Sequence, residues 1–226
     1  MVILPGVEKF LANQHLLGND MKQYFAWALG SILALAGTAA MAQEQADGPW
    51  MVRIRALYMK PANQSTDPTG TLGTNSIHVA NKTFPEADIS YFFTKNIAAE
   101  LILTYPQKHD VTLNGSTIGS FKHLPPTLTL QYHFMPDAQF QPYVGAGLNY
   151  THISDVNLLN GTGSLKSNSY GGALQAGFDV KVGKNSFINF DIKKVYIQTD
   201  VSVKGAKVST LNVDPLLVGV GYGMRF

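Results

Sequence analysis

Between residues 50 and 60 the chain alternates. Trp50, Val52, Ile54, Ala56 and Tyr58 share one parity and Arg53 and Arg55 the other, a period of two that a strand sorts onto opposite faces. The same split recurs seven times. In 84–93, Ala87, Ile89, Tyr91 and Phe93 oppose Glu86, Asp88 and Ser90; in 96–105, Ile97, Ala99, Leu101, Leu103 and Tyr105 oppose Glu100 and Thr104. Residues 126–134 set Leu128, Leu130, Tyr132 and Phe134 against Thr127, Thr129, Gln131 and His133, and 141–151 set Val144, Ala146, Leu148 and Tyr150 against Tyr143, Gly145, Gly147 and Asn149. The pattern continues in 170–182 (Leu174, Ala176, Phe178 and Val180 against Gln175, Asp179 and Lys181) and 186–196 (Ile188, Phe190 and Ile192 against Asn189, Asp191 and Lys193). It ends in 216–226, where Leu216, Val218, Val220, Tyr222, Met224 and Phe226 oppose Gly219, Gly221, Gly223 and Arg225.

Eight strands of roughly ten residues match the length that a tilted strand needs to cross a bilayer. The connections sharpen this. Those at 94–95, 135–140 and 183–185 are short, whereas 61–83, 106–125, 152–169 and 197–215 are long and polar, the alternation of tight inner turns and long outer loops typical of outer-membrane barrels. The expected fold is all-β, an eight-stranded antiparallel up-and-down transmembrane β-barrel, closed so that no strand edge is left in hydrocarbon. A soluble lipocalin-type barrel alternates in the same way with its apolar parity inward. Charge separates the two: the polar faces carry Arg53, Arg55, Lys181, Lys193 and Arg225 against Glu86, Asp88, Glu100, Asp179 and Asp191, a balanced set suited to pairing inside a narrow lumen. Rings near strand ends (Trp50, Tyr58, Phe93, Tyr105, Phe134, Tyr150, Tyr196, Tyr222) fit interfacial girdles.

Composition adds boundaries. Of 226 residues, 45% are hydrophobic and 14% charged, outside both the disordered and the helical-membrane classes. A net charge of +2 offers no footprint for nucleic acid, and the absence of cysteine excludes thiolate chemistry and disulfides. Upstream of the strands, Lys22, an apolar run from Tyr24 to Ala39 and Ala40-Met41-Ala42 form an export signal over 21–42, cleaved after Ala42. Residues 1–20 read as an upstream extension from a mis-assigned start, and 43–226 as the barrel.

Three runs carry a family resemblance: His123-Leu124-Pro125-Pro126-Thr127-Leu128; Phe140-Gln141-Pro142-Tyr143-Val144-Gly145-Ala146-Gly147-Leu148-Asn149-Tyr150-Thr151; and the ending from Asp214-Pro215 to Gly221-Tyr222-Gly223-Met224-Arg225-Phe226. They resemble the OmpW family, although the upstream 1–20 is not required by its pattern. The resemblance implies an outer-membrane barrel that passes small hydrophobic molecules, with relatives linked to alkane uptake, and a narrow apolar channel blocked towards the periplasm.

The residues support a mechanism separately. Eight strands enclose a lumen that side chains can fill, so an open aqueous pore is excluded. Arg53, Arg55, Glu100, Asp179, Lys181 and Arg225 are expected to plug its periplasmic half. Pro106, Pro125 and Pro126 cannot donate ladder hydrogen bonds, which predicts a notch in the wall through which cargo leaves sideways into outer-membrane lipid. Leu158, Leu159, Leu165, Val201, Val203 and Leu211, apolar residues in polar loops, are expected to line a mouth, with loop-against-loop packing as the alternative for any one of them. The strand ending in Phe226 is expected to be read by the barrel assembly machinery.

No cofactor or metal is expected, since His15, His78, His109, His123, His133 and His152 lack ligand spacing. His152, Ser154 and Asp155 are neighbours on one loop, which rarely makes a catalytic relay. The reading is a non-enzymatic conduit for small hydrophobic solutes. A surface barrel whose loops bind host surfaces, phage or bacteriocin is the alternative, and an envelope-lipid enzyme a third.

Overall fold

A computed structural model describes residues 48–67, 70 and 72–226. The upstream extension, the export signal and its cleavage after Ala42 lie outside the described residues. Among the described residues the chain forms β1 (Trp50–Lys60), β2 (Gln64–Ser65), β3 (Ile77–Val79), β4 (Lys82–Phe92), β5 (Ile97–Leu103), β6 (Gln107–Leu113), β7 (Ser116–Leu124), β8 (Thr127–His133), β9 (Phe140–Leu158), β10 (Gly163–Leu165), β11 (Asn168–Lys181), β12 (Ser186–Val195), β13 (Gln198–Val203), β14 (Ala206–Asn212) and β15 (Leu216–Arg225).

Eight of these make a closed antiparallel wall in the order β1-β4-β5-β8-β9-β11-β12-β15, with β15 returning to β1 through Met51↔Arg225 to Lys60↔Leu216. Trp50 and Phe226 exchange backbone hydrogen bonds at 3.1 and 2.8 Å, so the last residue completes the closure. The predicted faces hold. Leu128 and Leu130 are 55% and 58% exposed while Thr127, Thr129 and Gln131 between them are buried. A lipocalin-type barrel would invert this. Rings edge the outward face at the turn end, where Trp50–Tyr91, Tyr91–Phe93 and Tyr132–Phe134 meet edge-on at 4.8, 5.2 and 5.2 Å, and again at the far end with Tyr58, Tyr150, Tyr170 and Tyr196 exposed.

The long connections, expected as polar outer loops, carry strands of their own. They are hairpins that continue the barrel outward: β6 pairs β7, β3 pairs β6, β7 pairs the outer half of β9, and β13 links β10 to β14. Two tight turns make this possible. Asn114-Gly115 and Lys204-Gly205 hold φ of 49° and 84°, and 50° and 83°, the left-handed pair that lets a two-residue turn follow the twist of its strands. Because the strands continue, so does the alternation, and apolar loop residues that were expected to rim a mouth fall inside the tube.

Candidate functional site: a lumen in two halves

The lumen changes character along its length. In the half nearest the short turns, Arg53 and Arg55 enter from β1, fully buried. Arg53 pairs with Asp179 at 2.7 Å, Asp88 at 3.4 Å and Glu100 at 3.5 Å. Arg55 pairs with Asp88 at 2.7 Å and with Glu86 and Glu100 at 2.9 Å each. Lys193 joins Glu86 at 2.6 Å and Asp191 at 3.0 Å. Three cations thus meet five carboxyl groups, and neutral donors take the surplus. Tyr143 Oη and Gln175 Nε2 donate to Asp191 at 2.9 and 2.8 Å; Gln131 and Gln175 donate to Glu100 at 2.8 and 2.9 Å; Asn189 donates to Asp179 at 2.9 Å. Buried charges persist only when paired and hydrogen-bonded in this way.

Glycines give the long cations room. A Cβ on Gly221 would stand 2.7 Å from Arg55 Cγ, closer than carbon atoms pack, so β15 presents bare backbone against which the Arg55 chain lies. Gly177 does the same for Tyr143.

Four of the six residues expected in the plug, Arg53, Arg55, Glu100 and Asp179, meet here. Lys181 and Arg225 do not. Lys181 is partly exposed at the turn end of β11, and Arg225 closes the periplasmic end, with Nε donating to the Gly48 carbonyl at 2.8 Å and its guanidinium 4.0 Å over the Phe92 ring. Both sit near strand ends, where inward parity points at the rim. Glu86, Asp88, Asp191 and Lys193 take their place in the network. Their inward parity was the available signal.

In the other half the inward positions are apolar. Leu57, Met59, Phe84, Val111, Phe121, Ile153, Val195, Ile197, Val213 and Leu217 form one buried cluster. Leu158, Leu165, Val201 and Leu211 belong to it, fully buried, while Leu159 and Val203 are partly exposed at its outer edge. They fill the tube and do not line an open mouth, because their hairpins extend the wall around them. A small pocket lies where the halves meet, with Glu86 and Lys193 as its polar floor and Leu57, Phe84, Ile102, Thr104, His123, Pro125, Val195 and Leu217 among its walls.

Beside this pocket the wall is interrupted. The β4–β5 ladder runs from Phe92↔Ala98 to Ala87↔Leu103 and stops; it resumes where Ala80 donates to Asp110 and Val79 faces Val111. Across the interval Lys82 Nζ donates to the Lys108 carbonyl at 2.9 Å. On the neighbouring seam, pairing ends at Ile102↔Thr127 and restarts at Gln107↔His123. Pro106, Pro125 and Pro126 border this second break, and Pro85, which sequence reasoning passed over, sits on the first. Proline lacks the N–H that an unpaired strand would otherwise orphan in lipid.

The remaining expected features separate. His109 and His123 stack at 4.7 Å, and near-parallel rings direct their nitrogens side by side and not at one centre. Among the described residues no cluster of three metal-ligating side chains occurs. His152 Nδ1 contacts Asn168 and Asp155 pairs with Lys122 at 2.7 Å, so His152 and Asp155 face different partners.

A family model described as OmpW family matches residues 46–226. The chain is 41% identical to the outer-membrane protein y4mB of Sinorhizobium fredii over 185 residues, 79% of this chain and 80% of that one. It is 33% identical to outer membrane protein W of Vibrio cholerae, covering 91% of this chain and all of that one. Among solved structures, the outer membrane protein OprG from Pseudomonas aeruginosa superposes with a TM-score of 0.69 at 26% identity, covering 80% of this chain and 97% of that one.

Proposed function

The chain belongs to the OmpW family, and from that premise we propose that this outer-membrane barrel admits small hydrophobic molecules from outside the cell into its apolar outer lumen and releases them sideways into the membrane. The observation that carries this reading is the coincidence, at one level, of three features: the end of the apolar interior, a floor of ion pairs and a broken wall.

Energetics choose the exit. Passage to the periplasm would require parting buried ion pairs, each at about 3–5 kcal/mol once a partner is left alone, and an apolar guest returns none of it. A sideways path crosses seams whose ladder bonds are already missing and where prolines have removed donors. It breaks little. Entry is favoured by contact with the apolar cluster, roughly 25 cal/mol per Å² buried. Outer-membrane lipid is the receiving phase, and β15, with Phe226 directly after it, is the segment that the barrel assembly machinery takes up.

Replacing Pro106, Pro125 and Pro126 with ladder-completing residues (Pro106→Val, Pro125→Thr, Pro126→Val) is expected to reduce uptake of a hydrophobic tracer by cells several-fold while the protein remains folded in the membrane. Unchanged uptake would overturn the sideways exit.

A further inference from the structure

Beside the wall break, and reaching the pocket through Thr104, are buried polar atoms that the conduit does not use. Thr104 Oγ1, Gln107 Oε1 and both ring nitrogens of His109 are buried and lack hydrogen-bond partners. Gln107 is wholly inaccessible and His109 nearly so, at 0% and 2%. They are placed there by the chain's own geometry. Gln107 and His109 occupy successive inward positions of β6, directly after the unpaired stretch, and Gln107 Nε2 donates to the Tyr105 carbonyl at 3.0 Å. That bond occupies the amide nitrogen and leaves the oxygen as the unsatisfied atom. His123, opposite Gln107 in the β6–β7 register, stacks on His109 and lines the pocket together with Thr104.

Orphaned buried acceptors cost folding free energy, and native interiors rarely keep several together. Here Thr104 lines a cavity with an apolar body, and so does His123, on which His109 stacks and which Gln107 faces across the register. We propose that Thr104, Gln107 and His109 form a hydrogen-bonding subsite for the polar end of an amphipathic guest, a neutral hydroxyl that both donates and accepts, while the guest's hydrocarbon body displaces apolar filling around the pocket beside Leu57, Phe84 and Leu217. The inference rests on the conduit reading and adds to it a preference, among hydrophobic cargo, for molecules with one neutral polar end.

The chemistry of the group selects neutrality. His109 is held down at about 4 by burial and then by Lys82 of β4, with the Ala80 backbone and Asp110 pulling the other way. His123 is held at about 3 by burial, then by His109 and Lys82. Both imidazoles are uncharged at physiological pH, each offering one N–H and one acceptor nitrogen. Together with a glutamine oxygen and a threonine hydroxyl, they match an alcohol. They offer a carboxylate no cation, and Lys193 at the pocket floor is already paired with Glu86 and Asp191.

The membrane-embedded protein in phosphatidylcholine nanodiscs, titrated with 1-octanol and with n-octane, tests this through the imidazole ¹⁵N signals of His109 and His123. The alcohol is expected to move both signals and the alkane to leave them in place. Gln107→Leu and His109→Phe are each expected to weaken 1-octanol about tenfold, the scale of one lost neutral hydrogen bond with its desolvated partner, with octane affinity within twofold. Thr104→Val, which exchanges a hydroxyl for a methyl at constant shape, keeps the test open should either larger change unfold the hairpin, and is expected to act in the same direction. If octane moves the signals as much as octanol, or octanol binds all three variants as it binds the parent, the group is merely hydrated and the subsite is refuted while the conduit stands. If neither probe binds at all, the conduit fails and the subsite with it.

Discussion

Midway along β1 the inward face changes chemistry: Arg53 and Arg55 are followed on the same parity by Leu57 and Met59, and all four are buried. The two regions that follow from this switch are held by different physics. In the inner half each cation grips two or three carboxyl groups at fixed distances, so every group is over-determined and removing one strands several. In the outer half the filling is aliphatic and aromatic contact, which is non-directional. A hydrophobic guest can displace it and restore the lost contact with its own surface. The inner half is therefore a seal and the outer half a solvent.

Four changes would break or sharpen that contrast. Arg55→Met leaves Glu86, Asp88 and Glu100 facing one another without their shared partner and is expected to cost about 3–5 kcal/mol, read from denaturant unfolding in detergent micelles. Phe121→Ala, in the outer cluster, is expected to cost about 3 kcal/mol, the low end for buried aromatic truncation, because hydrophobic filling can partly relax. Acidification comes next. An unfolded imidazole takes up a proton below about pH 6.5, whereas folded His109 and His123 resist until about 4 and 3. The unfolded state thus binds more protons, and stability, intact above pH 6.5, falls as pH drops towards those folded values. By pH 5.5 the loss is expected to be of order 1 kcal/mol per ring, and His109→Phe with His123→Phe should flatten the profile between pH 6.5 and 5. Last, Lys95→Met breaks the Lys95–Asp137 pair at 2.8 Å, each side chain 68% exposed, and should shift stability by less than about 0.5 kcal/mol. A larger effect there than at Arg55 would contradict the distinction between seal and surface.

The wall was legible because eight segments carry unbroken alternation over a bilayer's thickness, and the observed strands start and end within a residue or two of those read from sequence, β9 excepted. That strand runs on to Leu158. The outer extension was missed for a physical reason: on β6 the inward positions are Gln107, His109 and Val111, so alternation of hydrophobicity fades where the lumen turns mixed, and the segment reads as polar loop. Asn114-Gly115 was the readable sign, since that dipeptide favours a two-residue hairpin turn. Leu57 and Met59, apolar residues on the charged parity, were the corresponding sign of the apolar outer lumen. In the plug, parity identified the inward charges, but which of them converge depends on strand stagger, which periodicity does not contain. Pro85 escaped notice because it lies inside a strand, where its missing donor matters only on the seam that is open.

The chain has no cysteine, which allows the wall break to be closed and reopened in one molecule. Pro85 and Tyr105 are set opposite each other by the register on both sides of the gap, Ala87↔Leu103 and Val79↔Val111. Uptake of labelled octane by intact cells carrying the Pro85→Cys, Tyr105→Cys pair should fall to the level of cells without the protein when the pair is oxidised, and recover on reduction. Equal uptake by the bridged and the reduced protein would mean that cargo does not leave through this seam.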